Sequence, residues 1–258
     1  MIRRLLLTAL LPLALSACVT SNPDGSPFQG DKVDMKRAAQ DNVSLGIAYL
    51  KQGNRDAAMQ KIQKALDQDP DNADAYVAEA LIYNADGDTD KARDAYKTAM
   101  RKAPDDPEIE NNYAVFLCQH GKPKDSLEYF MKSAANPRYS TPDGAYSNAG
   151  LCALRIPDQA TAEQYFRKAL TVNPNLPEPM YQLAQLSYDQ KKYLSARAFI
   201  ERFNALQPRS RPDVLLLGVN NERALGDQRA AADYAKQLLK LYPTSQQAQQ
   251  INQANPHG

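Results

Sequence analysis

Three cysteines, Cys18, Cys118 and Cys152, and two histidines, His120 and His257, are the side chains with which this chain could do thiol, redox or metal chemistry. A zinc site needs three or four such ligands at close spacing. Neither histidine has a cysteine or carboxylate pair at that spacing. Phosphate-cradling glycine loops, the GxSxG elbow and the dinucleotide fingerprint do not occur. The reading is therefore of a protein that is not an enzyme, with no catalytic residues, no metal and no cofactor. Basic and acidic side chains number 31 and 30, and no basic stripe follows one helix face. That argues against nucleic acid as a partner, and nothing points to a small-molecule substrate. What remains for the cysteines is acylation or pairing, and the elements that carry them decide which.

Those elements repeat. Small residues recur at Gly46, Ala80, Ala114, Gly150, Ala184 and Gly218, with spacings of 34, 34, 36, 34 and 34. A second small column keeps step at Ala58, Ala92, Ser126, Ala162, Ala196 and Ala230. A large apolar column follows at Ile62, Tyr96, Phe130, Phe166, Ile200 and Tyr234, and prolines close the units at 70, 104, 137, 174, 208 and 243. A helix–turn–helix unit of 34 residues is the tetratricopeptide (TPR) pattern. The fold expected is an all-α TPR solenoid, a right-handed superhelix of about six units at 39–72, 73–106, 107–140, 143–176, 177–210 and 211–244. Within a unit, the small residue of helix A is expected against the small residue of helix B. The bulky residue would then fill the angle with the next unit. Proline ends helix B because it lacks an amide donor and clashes with the preceding turn. Gly53, Gly87, Gly121, Pro157 and Gly226 form the turns between A and B, with Lys191 the exception. Residues 245–258 read as a polar C-terminal capping helix with a frayed tail, covering the last apolar face.

Residues 1–17 stand outside this array. Arg3 and Arg4 precede an apolar run from Leu5 to Leu15, the layout of a secretory signal. The run ends Leu15-Ser16-Ala17-Cys18, which matches the bacterial lipobox, so Cys18 is expected to be the acylated first residue of the mature protein. One acyl chain holds a protein to a membrane only marginally, whereas two or three hold it durably. Val19 follows in place of the aspartate that retains such proteins at the inner membrane, which gives an outer-membrane, periplasm-facing location. Residues 18–34, rich in Pro, Gly, Ser and Asp, read as a flexible tether.

With Cys18 acylated, Cys118 and Cys152 fall on the A helices of units three and four, which should be neighbours. Packed helices can bring facing Cα atoms within the ~4.4–6.8 Å that a disulfide needs, and the periplasm is oxidising. A disulfide is expected; two buried thiols acting as small apolar residues are the alternative. The A helices of a TPR array line its concave face. In the first three units this places Val43, Ile47, Leu50, Val77, Leu81 and Val115 along an apolar groove suited to an apolar partner segment. Later positions, Tyr181, Gln185, Tyr188 and Asp189, are more polar. The alternative is that the segment 28–38 covers the early groove.

The lipobox, tether and six units resemble the type IV pilus biogenesis/stability TPR lipoproteins, the PilF/PilW family of secretin pilotins. Residues 111–155, NNYAVFLCQHGKPKDSLEYFMKSAANPRYSTPDGAYSNAGLCALR, carry the likeness most specifically, through NNY…FLC…G, the P-x-Y loop and N-x-G-L-C. The turn Pro157-Asp158, where Gly-Asp would be usual, departs from it. The resemblance implies an adaptor that escorts the pilus secretin, a PilQ-like protein, to the outer membrane and promotes its multimerisation, and hence twitching motility. It also implies that Cys18 carries the lipid and that Cys118 pairs with Cys152. Two other scaffold roles stay open: outer-membrane protein assembly, and recruitment of cell-wall enzymes.

Overall fold

The computed structural model describes residues 30–254, apart from 157 and 208. The signal segment, Cys18, the tether up to residue 29, Pro157, Pro208, His257 and the tail from 255 lie outside the described residues. Within them, thirteen helices follow one another. Six A/B pairs are α1 (Gly30–Lys51) with α2 (Arg55–Gln68), α3 (Ala73–Asp86) with α4 (Thr89–Lys102), α5 (Pro107–Gln119) with α6 (Pro123–Ala135), α7 (Pro142–Ala153) with α8 (Gln159–Val172), α9 (Pro177–Asp189) with α10 (Tyr193–Leu206), and α11 (Pro212–Leu225) with α12 (Gln228–Leu241). The last helix, α13 (Gln246–Ala254), lies against α11 and α12.

Local chemistry sets the boundaries. Asn54, Asp88, Asp158 and Asp227 cap B helices, each side chain accepting from the amide three residues on. Proline opens α5, α7, α9 and α11, where its fixed φ suits a first helical position and its missing donor costs nothing. The residues before Pro70, Pro137 and Pro174 are extended, as a following proline demands. The A–B turns pass through left-handed backbone at Gly53, Gly87, Gly121 and Gly226, with φ between 76° and 82°. Lys191 takes the same conformation, φ 59°, so the exception in the glycine pattern is in residue type and not in geometry.

One packing expectation is corrected. A Cβ added to Gly150 would lie 2.5 Å from Cε1 of Phe166, and one added to Gly46 would lie 2.6 Å from Cδ1 of Ile62. At Gly218 the ring of Tyr234 comes within 2.9 Å. The small residue of helix A therefore accommodates the bulky residue of its own helix B, and Ala58 contributes its backbone oxygen, 3.3 Å from the Gly46 position. A bulky side chain lying across the partner helix needs a gap there, and glycine or alanine makes it.

Units stack chiefly by the B helix of one unit against the A helix of the next, and each A helix also approaches the next A helix, α1 to α3 through α9 to α11, whereas the backbones of successive B helices stay farther apart. Close contact on one side and separation on the other curves the array, with A helices inside. The tether reading is corrected at its end: α1 begins at Gly30, so residues 30–34 are helical. After Gly30 the stretch DKVDMKRAAQ contains no breaker. The two extra residues between units three and four fall in the loop 136–141, where Tyr139 is buried and Asn136 and Arg138 donate to the Asp105 carbonyl, each at 3.0 Å.

Gly150→Ala should test the corrected contact. Alanine favours a helix interior by about 1 kcal/mol, but overpacking a closed core costs ~1–3 kcal/mol, and the rigid Phe166 ring is fully buried. Urea unfolding should show a net loss of about 1 kcal/mol; a gain would show that the ring moves freely.

Candidate functional site on the concave face

The A helices α1, α3, α5 and α7 bring one column of side chains into line: Ile47, Leu81, Val115 and, one repeat further, Leu151. The first three are half-buried and Leu151 is 37% exposed. With helix axes ~8–10 Å apart, the strip crosses four helices over roughly 30 Å. Leu50 and Val77 flank it, also half-buried. Val43 does not belong to it. It is 1% exposed, within the core formed with Ala75 and Ala78 of α3. Those small residues let α3 approach α1 closely, and Val43 fills the space between. Residues 30–38 do not cover the strip, because they continue α1 itself, and residues 34–37 are exposed.

Cys118 and Cys152 are joined as a disulfide between α5 and α7, with Cα atoms 5.9 Å apart. The bridge borders a pocket of about 280 Å³ together with Val115, Phe130 and Leu151. Arg155 closes one side, donating to the Cys118 carbonyl at 2.8 Å. The disulfide thus lies at the wall of the groove and fixes the spacing of the two helices that line it. Leu151, Asn148 and Arg155, which border this pocket, were missed from sequence. Leu151 was legible, since it follows Val115 by 36 residues in the same column; Arg155 lies on no column.

Beyond unit four the face turns polar. Gln185 donates to Asp189 at 3.0 Å. The Arg211 guanidinium sits 4.6 Å from the Tyr181 ring centroid and bonds Asp213 at 2.6 Å and Glu178 at 3.0 Å. Burial pushes the Asp213 carboxyl up, but the bonds from Arg211 outweigh it and hold the group below its ordinary range. Tyr181, mainly through burial, is pushed up. Gln247 and Gln250 of α13 join Tyr181, Gln185 and Tyr188 around a cavity of about 180 Å³. The apolar part of the groove therefore ends at unit four. His120 is structural: its Nε2 lies 2.6 Å from Asn84 Oδ1 and its ring packs on Phe116, tying units two and three.

Family models described as tetratricopeptide repeat match residues 43–107, 144–176 and 214–245. The chain is 31% identical to the type IV pilus assembly protein PilF of Pseudomonas aeruginosa, over 96% of this chain and 97% of that one. It belongs to the PilF/PilW family of type IV pilus biogenesis TPR proteins. Solved structures agree. A PilF structure from Pseudomonas aeruginosa superposes with a TM-score of 0.74 at 28% identity, covering 86% of this chain and 99% of that chain. The structure of PilW, described as a widely conserved type IV pilus biogenesis factor, gives 0.72 at 31%, covering 83% and 97%. The six-unit array with its cap is thus the whole body of a PilF/PilW-type protein.

The disulfide makes a direct prediction for this family member. Closing a loop with a sequence separation of 34 stabilises by ~3–4 kcal/mol on the chain-entropy model. Cys152→Ser should lose about that much in urea unfolding yet keep its helical spectrum, because the stacking contacts remain. Equal stability under oxidising and reducing conditions would contradict it.

Proposed function

We propose that this pilus biogenesis protein is a lipid-anchored, non-catalytic adaptor of the outer membrane. In this reading it binds the type IV pilus secretin, a PilQ-like protein, and promotes its localisation and multimerisation. The observation that carries the reading is the end-to-end relationship to a pilus assembly protein, 31% identical over nearly all of both chains. The apolar strip supports a binding role. Half-buried aliphatic side chains in a concave array offer area to an apolar partner segment, and the disulfide-held helices need little reordering when it docks. The lipobox at Cys18 supports membrane attachment, and the segment 19–29, whose composition suits a tether, would allow a reach of at most about 36 Å at ~3.3 Å per residue.

Two expected outcomes test this. Leu81→Glu places a carboxylate against the proposed apolar partner, and a buried unpaired charge is costly. Detergent-resistant secretin multimers should fall while the variant stays folded and membrane-bound; unchanged multimers in both this variant and a deletion strain would overturn the secretin reading. Cleavage before Cys18 with added acyl mass is expected in intact-mass analysis of membrane-extracted protein. Cys18→Ser should release the array from the membrane fraction while leaving it able to bind secretin in extracts.

A further inference from the structure

Charge is divided between the two layers of the array. The A helices α3, α5, α7, α9 and α11 carry ten acidic side chains and one basic one, Arg223, whereas the six B helices carry seventeen basic and nine acidic. No single helix shows a basic stripe, because the stripe runs across helices. Two places after the bulky residue of each B helix stand Lys64, Thr98, Lys132, Lys168, Arg202 and Lys236. The five cations are exposed, and at Thr98 the Arg101 guanidinium fills in, donating to the hydroxyl at 2.7 Å. At 3.6 residues per turn this place points away from the buried bulky residue, onto the convex side.

The last three units differ from the first three. Lys132 is held by Asp105 and Glu110. Lys168, Arg202 and Lys236 have no carboxylate partner among the described residues. Lys168 lies over the Tyr146 and Tyr165 rings and Arg202 donates to the Pro174 carbonyl, contacts that leave both charges uncompensated. On the outermost line of the B helices, two places before the bulky residue, Asp94 and Glu128 of units two and three give way to Gln164, Ala198 and Ala232, all exposed. Val172, one turn beyond Lys168, is 50% exposed. Seven basic residues stand on α8, α10 and α12 against three acids, one of which, Glu163, is held by Arg167. The convex face of units four to six is thus an uncharged crest of small side chains beside a row of cations.

We propose that this face lies on the anionic phospholipid surface of the membrane to which Cys18 is anchored, with the groove directed away from it. The inference rests on the lipid-anchor reading. A bilayer fits these features better than a discrete anionic ligand does. The cations are spread one to a helix, and a lysine is a point charge on a flexible stem, which suits a diffuse layer of headgroups. The crest beside them bears no charge that such a layer would repel. The segment 19–29 reaches at most about 36 Å, so an acylated chain keeps its array beside a bilayer at high effective concentration. A basic patch adds to an acyl anchor as a second signal. The acidic layer of A helices is repelled by the same surface, which turns the groove toward a partner.

Labelling of lysines by an uncharged amine reagent, read by mass spectrometry, tests the orientation. Acylated protein is reconstituted in nanodiscs of phosphatidylcholine, alone or with a third of phosphatidylglycerol, with the exposed Lys191 of an A–B turn as internal reference. Relative to Lys191, Lys168, Lys236 and Lys240 should be labelled at least about fivefold more slowly in anionic discs than in neutral ones, the factor that one cation near such a surface corresponds to. High salt should abolish the difference. Lys168→Gln combined with Arg202→Gln should leave the array in the disc with its helical spectrum intact, but remove most of the protection of Lys236 and Lys240. Equal labelling in the two discs overturns the inference and leaves the anchor standing, as does full protection in the double variant. Protein that elutes apart from both discs overturns the anchor, and this inference with it.

Discussion

The contact on which the rest of this array depends is the crossing of a large helix-B side chain over a small helix-A residue within each unit. Ile62 over Gly46, Phe166 over Gly150 and Tyr234 over Gly218 leave no space for another carbon atom. Because protein interiors are packed to crystal-like density, that crossing sets both the distance and the angle between the two helices. Repeating the same crossing every 34 to 36 residues repeats the same angle. Curvature follows without any further instruction: A helices meet their successors and B helices are held apart. The groove on one face and the gaps on the other are two results of one steric rule.

That rule constrains where variation can go. Column positions are occupied by the crossing, so chemical differences between units appear on the residues between columns. On the concave side Ile47, Leu81, Val115 and Leu151 give way to Gln185, and the Arg211–Asp213–Glu178 cluster sits beside it. On the convex side an aromatic gives way to Asp233. The array is uniform as a scaffold and graded as a surface. Stability in such arrays is a sum of unit and neighbour terms, so the Cys118–Cys152 bond acts at one junction only. It ties the two units that are separated by the irregular loop 136–141, where the 34-residue period is broken.

The fold was legible because its determinants are local and periodic: column spacing, proline after each B helix, and glycine in four of the six turns. Proximity of Cys118 and Cys152 followed from the same spacing. What the pattern left open was which members of two columns touch. Ala58 and Ile62 lie on one helix face, a turn apart, and both follow Gly46 at fixed intervals. Spacing alone does not show that the larger one crosses over the glycine. Val43 was misplaced for a related reason. Its position belongs to the groove in a generic unit, but the alanines at 75 and 78 bring α3 in and close it over. The start of α1 was misread because Gly30 and the aspartates resemble tether composition, although no breaker follows Gly30.

Position along the array also decides how α13 works. At the last unit, Leu215 and Val219 occupy the places that Ile47 and its neighbours hold at the first, and Ala248 and Ile251 of α13 bury them together with Leu238. The cap therefore substitutes for the A helix of an absent seventh unit and presents glutamines outward. At the other end the first described helix, α1, is the longest of the A helices, with 22 residues where the others have 12 to 14. The extra turns add exposed charges at Asp34, Lys36 and Arg37, with the apolar Met35 exposed among them. Among the described residues only the first end leaves its aliphatics, Ile47 and Leu50, half-buried where the last unit's equivalents are covered by α13, which places the apolar groove at the N-terminal end of the array.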